Sequence, residues 1–470
     1  MPRRRSALAA LPVLGALALS ARAQPVDVEP YRAAVGRLQA AALADSAAYA
    51  RAAYIGDTFG HRLSGSASLE AALDWILAEM RADGLEGVRG MPVDVPVWIR
   101  GEESAALVAP REAPLVMLGL GGSAATPPEG LTAEVLVVGS FDELRARAAE
   151  AAGRIVLYDV PFTTYGETVR YRSTGAIEAA RVGAVASLIR SVGPVSLRTP
   201  HTGAMRYEEG APRIPAAALA LEDAALLRRL QARGGRPVVR LTMGARTEPD
   251  ARSRNVIGEI RGRERPEEVV LLACHIDSWD VGQGVVDDAG GCAVAWESVR
   301  LLHALGLRPR RTVRAVLFTN EENGLRGALA YRDSLGDTVA GHVFAIESDG
   351  GVFAPVGVGV TATDAAFAMV EAVEPLILPL LTESEAAETG VTRGGGGADI
   401  GPLMRAGVPG AHLNTDAVEY FWVHHTPADT VDKLDPADVQ RNVAVMATLA
   451  YVLAEMPERL PMGPPAQGSE

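Results

Sequence analysis

Residues 270–291 read VLLACHIDSWDVGQGVVDDAGG. The run from Val269 to Ala273 is apolar at every position, then the chain lays down one His and four Asp among four Gly. An unbroken apolar run of this length reads as a strand buried on both faces, the pattern of a parallel sheet. The residues after it therefore stand at a strand's carboxyl end, where open α/β sheets collect their functional groups.

The same texture continues outward. NVIGEI, TVRAVLFTN, HVFAIES and VPGAHLN read as further strands. Ala289 to Leu305, GLRGALAYRDSL, DAAFAMVEAV and PADVQRNVAVMATLAYVLAEM read as helices. Strands alternating with helices predict an α/β fold, a mixed and mostly parallel sheet with helices on both faces. Upstream, Pro25 to Gly84 reads as largely helical, with Ser68 as an N-cap and Gly84 as a stop, before the strand-like MPVDVPVWIR. Between residues 103 and 247 come short β runs and small helices, LTAEVLVVG, GRIVLYDVPF, AIEAARVGAVASLIRSV and IPAAALALEDAALLRRL. The polar stretch EPDARSRN (248–255) reads as a junction. The expected organisation is one α/β domain, 24–102 with 248–458, split by a smaller α/β insert at 103–247, and a loose Pro/Gly-rich tail at 459–470.

Composition narrows the class. The 470 residues carry 45 basic and 58 acidic side chains, a net charge of −13. That balance argues against nucleic acid or an anionic membrane as the main partner. Arg3, Arg4 and Arg5, the apolar segment Ala7 to Ser20 and the small-x-small Ala21-Arg22-Ala23 have the order of a secretory signal. Cleavage after Ala23 would leave Gln24 first and no later run able to span a membrane, so a secreted or periplasmic protein is expected. Cys274 and Cys292 are the only cysteines. An exported protein could pair them, but two buried thiols are the preferred reading, and their spacing fits no zinc-thiolate pattern.

Four strand ends carry metal-capable side chains: His275 and Asp277 with Asp280, Asp287 and Asp288; Glu321 and Glu322; Asp349; and His424 and His425. Singly, each has an ordinary explanation, as a structural histidine, a helix N-cap or a carboxylate in a first helical turn. Together on one sheet edge they would repel strongly without cations. A carboxylate and imidazole set without thiolates suits catalytic Zn²⁺.

HIDSWDVGQGVVDDAGG, TNEENGLRGA, ESDGG, GGADIGPL and YFWVHHTPADT, in this order, resemble the co-catalytic di-zinc exopeptidases, and the insert resembles a protease-associated domain. The resemblance implies two Zn²⁺ per chain. His275 and Asp349 would hold one ion, Glu322 and His425 the other, and Asp287 would bridge both. Glu321 would be the general base, and Asp277 the carboxylate that orients His275. His425 is preferred to His424 because it directly precedes the Thr of HTPADT. The implied activity is hydrolysis of short peptides, dipeptides above all, with a free amino terminus. Pairing into homodimers is implied as well. A ligand-depleted receptor of the same fold and a glutaminyl cyclase-like acyltransferase are the alternatives. The complete ligand set disfavours the first and the insert disfavours the second. Trp279 is a pocket-lining or a packing residue, Tyr420 and Trp422 are core or interface residues shaping the site rim, Asp399 is a supporting group or an N-cap, and Gly394 to Gly397 is a backbone run expected near the substrate.

Overall fold

The computed structural model describes residues 26–385 and 387–464. The expected signal segment with its cleavage site after Ala23, and the end of the tail from 465, lie outside the described residues.

Two eight-stranded sheets organise the chain. The first runs Glu86–Ile99, Arg246–Ile260, Arg311–Phe318, Arg265–His275, His342–Glu347, Gly410–Thr415, Pro355–Thr361, Gly390–Arg393. Its central strands pair in parallel, and antiparallel pairs lie towards both edges. The expected mixed α/β sheet is thus present. In the strand Arg265–His275, Val270, Leu272 and Cys274 enter one core, with the helices Arg32–Ala44, Ala47–Phe59, Gly290–Ala304 and Pro436–Glu455. Leu271 and Ala273 enter another, with Ala328, Tyr331, Ile400 and Leu403. Alternate residues of a strand face opposite ways, so a sheet covered on both faces needs apolar residues at every position. Each fully buried Val or Leu contributes about 1.5–3 kcal/mol.

The second sheet is built from residues 103–243 and has its own apolar clusters on its two faces. Its chain leaves the first sheet after Glu86–Ile99 and returns through Arg246–Ile260, two long strands paired with each other.

Several expectations change. EPDARSRN is no junction but part of Arg246–Ile260. Half of its residues are exposed, while Ser253 and Asn255 are buried, so polar composition and strand pairing coexist there. Pro355–Thr361 and Gly390–Arg393 are further strands. At Gly357 a Cβ would stand 2.0 Å from the Gly390 carbonyl oxygen, so the pair closes only through glycine. The third helix, Ala67–Ala82, is capped by Ser66, whose hydroxyl accepts from the Leu69 amide, and not by Ser68. Ser68 instead donates to the His61 carbonyl. The tail is not loose as far as 464, because Leu460 is fully buried and Met462 packs on the core. Cys274 and Cys292 form a disulfide, with Cα atoms 5.1 Å apart, rather than two free thiols. It joins the end of a central strand to the first turn of the helix behind it. Among the described residues, no helix is long and apolar enough to cross a membrane.

Candidate metal centre

The strands Arg265–His275, Arg311–Phe318, His342–Glu347 and Gly410–Thr415 run parallel, so their carboxyl ends share one edge. His275 ends the first strand, Glu321 and Glu322 follow the second, Asp349 the third, and His424 and His425 come after the fourth. Asp287 reaches them from the loop that leads into the helix Gly290–Ala304.

The five expected ligands converge. Nε2 of His275 lies 3.1 Å from Asp287 Oδ1 and 3.5 Å from Asp349 Oδ1. Nε2 of His425 lies 3.2 Å from Asp287 Oδ2 and 3.0 Å from Glu322 Oε2. Asp287 therefore offers one oxygen to each imidazole. His424 stacks on His425 with ring centroids 3.5 Å apart and reaches only Asp287, at 3.6 Å. His425, with two carboxylates at hydrogen-bond distance, is the better placed of the two. This collection of acids has no Lys or Arg ion-paired to it among the described residues, while its two imidazole nitrogens point inward. A cation at each end of Asp287 fits that donor set.

Charge and burial act against each other here. Burial alone would favour neutral His275, but Asp349 and Asp287 hold its pKa well above the usual range. Burial likewise opposes protonation of His425, and Glu322 and Asp287 push it up to about 10. Burial raises Glu322 to about 7, helped by Asp287 and opposed by His425. Burial, then Asp349 and Glu322, raise the Glu321 carboxyl well above its ordinary value. Protons on the imidazoles do here what divalent cations would do more completely.

Supporting contacts fix the set. The Nδ1–H of His275 donates to the backbone carbonyl of Asp277 at 2.9 Å, leaving Nε2 as the ligand nitrogen. The Asp277 carboxylate was expected to orient His275, yet it stands 3.9 Å from that nitrogen. It accepts instead from the amides of Glu321 at 3.1 Å and Glu322 at 3.4 Å. The carbonyl lies closer to the ring because the chain turns straight after the strand. Trp279 is buried, and its amide donates to Glu322 Oε1. Asp280 points away and pairs with Arg100. Asp288 accepts from the amides of His275 and Gly291 and so is a loop fastener rather than a ligand.

Three contributors lie outside the expected set. Asp429 lies within HTPADT and accepts from the amides of Val285, Val286 and Asp287, which locks the shared carboxylate in place. Its motif position was the available signal. Arg62 is fully buried and donates to the carbonyls of Gly60, Ile276, Gln283 and Gly284, spanning the whole metal loop. Thr202 of the second sheet's module donates its amide to the His425 carbonyl at 3.0 Å. Its own carbonyl lies 3.4 Å from His425 Nδ1.

A cavity of about 290 Å³ opens onto this centre. Glu321, Glu322, Asp349, Tyr420, Phe421 and His424 line it, with Tyr165 and Arg172 completing the wall. Trp422 is exposed and Trp279 lies behind the site, so of the three aromatic candidates only Tyr420 lines it. The glycine run is not in the cavity wall. Gly397 packs against Glu347, where a Cβ would come within 2.0 Å of its carboxyl carbon. Asp399 is buried beside it, with its amide donating to Glu347, and caps no helix.

A parallel-centred sheet with paired carboxylate and imidazole clusters at its carboxyl edge defines the class of α/β metallohydrolases. The family model described as peptidase family M28 matches residues 255–450. Human carboxypeptidase Q is 47% identical over 418 residues, covering 89% of this chain and 87% of that protein. A peptidase M28 precursor from Shewanella amazonensis superimposes with a TM-score of 0.88 at 36% identity, over 93% of this chain and 100% of that one. BSAP, a zinc aminopeptidase from Bacillus subtilis, shares the fold, with a TM-score of 0.65 at 21% identity, over 90% of this chain and 98% of that one. The chain belongs to peptidase family M28 and is carboxypeptidase Q-like within it. By enzyme class it is a metallo-exopeptidase.

Proposed function

We propose that the protein is an exported di-zinc exopeptidase that cuts short peptides with a free amino terminus. The observation that carries this reading is Asp287, which turns Oδ1 to His275 at 3.1 Å and Oδ2 to His425 at 3.2 Å. One carboxylate facing two separate ligand sets is the arrangement a two-ion site requires. His275, Asp287 and Asp349 would hold one zinc, and Glu322, His425 and Asp287 the other. Bound there, the ions supply positive charge that polarises the peptide carbonyl and acidifies water.

The chain's own groups do the rest. Glu321 makes no ligand contact and lines the cavity, and its amide is held by Asp277. Its carboxylate takes a proton from the attacking water and passes it to the leaving amine nitrogen. The remaining acid-rich wall, Glu321 and Asp349, favours the substrate's α-ammonium group. A cavity of about 290 Å³ suits short peptides better than folded chains. The intact donor set gives a ligand-depleted receptor no support.

The test compares alanyl-alanine with its N-acetylated form in the zinc-loaded enzyme. Acetylation removes the charge and the free lone pair, so the blocked peptide is cut at least about 10²-fold more slowly, the scale of one lost buried charge contact. Equal rates would remove the free-amine requirement and leave a peptidase of other specificity. Export and pairing of two chains belong to the same reading. They are checked by N-terminal sequencing near Gln24 and by sedimentation.

A further inference from the structure

His425 holds a backbone conformation that residues with a side chain rarely adopt, with φ +60°. Such a conformation persists where neighbouring groups fix it. The main-chain partner that fixes it belongs to the inserted module. Thr202 donates its amide to the His425 carbonyl at 3.0 Å, and its own carbonyl lies 3.4 Å from His425 Nδ1. One residue thus meets both the backbone and the ring of the ligand. A carbonyl facing Nδ1 selects the tautomer that carries its hydrogen there and leaves Nε2 free for a metal. The same carbonyl accepts from Arg172 Nη1 at 3.3 Å, within the capacity of its two lone pairs.

The two imidazoles of the centre are oriented by one device drawn from two domains. His275 gives its Nδ1–H to the carbonyl of Asp277, two residues on in its own loop. His425 gives its own to a residue 223 positions away. Thr202 is in turn fixed by its side chain. It is fully buried, and its hydroxyl donates to the Gly119 carbonyl at 2.7 Å and accepts from Arg100 Nη2 at 3.3 Å. Arg100 donates to that carbonyl at 2.5 Å and to Asp280 of the metal loop at 2.9 Å. The residues that follow join the module's own backbone. The Gly121 amide donates to the Gly203 carbonyl at 3.0 Å, and the Met205 amide to the Gly121 carbonyl at 2.9 Å.

We propose that Thr202, anchored through its hydroxyl to Gly119 and Arg100, is a positioning residue for His425, and that the inserted module thereby controls zinc affinity at the Glu322–His425 site and not at the His275–Asp349 site. The proposal rests on the two-ion reading given above.

Zinc binding is measured by competition with a chromophoric chelator in wild type, Thr202→Val and Thr202→Ser. Valine keeps the shape of the side chain and removes the hydroxyl, whereas serine keeps the hydroxyl. In Thr202→Val one ion binds about 10–100-fold more weakly, the range for loss of a ligand's outer support, and the other binds as in wild type. Thr202→Ser binds both as wild type does. Two backgrounds show which ion responds. In His275→Ala, which keeps the Glu322–His425 ion, adding Thr202→Val weakens that ion by the same factor. In His425→Ala, which keeps the other ion, adding it changes nothing. A residue that only stabilised the fold would not discriminate between the two ions. Unchanged affinities in Thr202→Val, equal weakening of both ions, or the same loss in Thr202→Ser overturns the proposal. Should Thr202→Val not fold, Thr202→Ala is read in the same way. A wild type that binds a single ion overturns the two-ion reading instead. The variants then still decide the role of Thr202, since weakening by valine with rescue by serine supports it and equal affinities overturn it.

Discussion

Glu321 and Glu322 are neighbours in sequence with different surroundings. Glu322 has both oxygens committed, one to His425 and one to the Trp279 amide. Glu321 has its carboxylate in the cavity. Glu321→Gln therefore keeps its metal and loses about 10²–10⁴-fold in kcat, the range for a positioned acid–base group. Glu322→Gln loses metal first. Elemental analysis beside kinetics distinguishes the two, and the opposite pattern would exchange their roles. At this scale the sequence was most readable. His275, Asp287, Glu322, Asp349 and His425 each stand at a strand end or in a motif, and together, though not singly, they form a donor set that suits metal ions. Arg62, Arg172 and Thr202 gave no such signal. They act through positions far apart in sequence, and a lone Arg in a helix reads as a solvated charge until the fold buries it.

Among the elements, the strands that carry ligands were evident because burial on both faces leaves an unbroken apolar run. The edge strands were not, since Gly357 and the exposed residues of Arg246–Ile260 lack that mark. The strand His342–Glu347 also carries a pH dependence remote from the metals. His342 is buried at its start, its Nε2 is 2.9 Å from the Tyr331 hydroxyl, and burial and then Arg314 lower its pKa to about 4. An unfolded histidine titrates near 6.5. As pH falls from about 6.5 towards 4 the unfolded chain takes up the proton first, so stability is lost on acidification. The loss attributable to this group is about 3 kcal/mol at most. Thermal unfolding of zinc-free His342→Gln followed from pH 7 to pH 4 falls less steeply than that of the wild type. Identical slopes would show that His342 does not contribute.

Across the whole molecule, the insert is seated on the site rather than hung beside it. Arg100 binds Asp280 of the metal loop and the Gly119 carbonyl of the second sheet. Gly121 lies against the Trp279 ring, so closely that a Cβ would be 2.0 Å from it. Leu63, Trp98, Ala245 and Trp279 form a small apolar cluster where the two sheets meet. The sequence marked an insert by its change of texture, but not this seating, because small residues such as Gly121 carry no signal of what they approach. The account stands on one claim, that Asp287 is shared between two metal sites. The direct measurement is zinc per chain, by elemental analysis of wild type, His275→Ala and Asp287→Asn purified without chelator. The account predicts about two zinc ions in the active wild type, about one in His275→Ala and close to none in Asp287→Asn. A fully active wild type with one zinc or none, or an Asp287→Asn variant that keeps both, would contradict it.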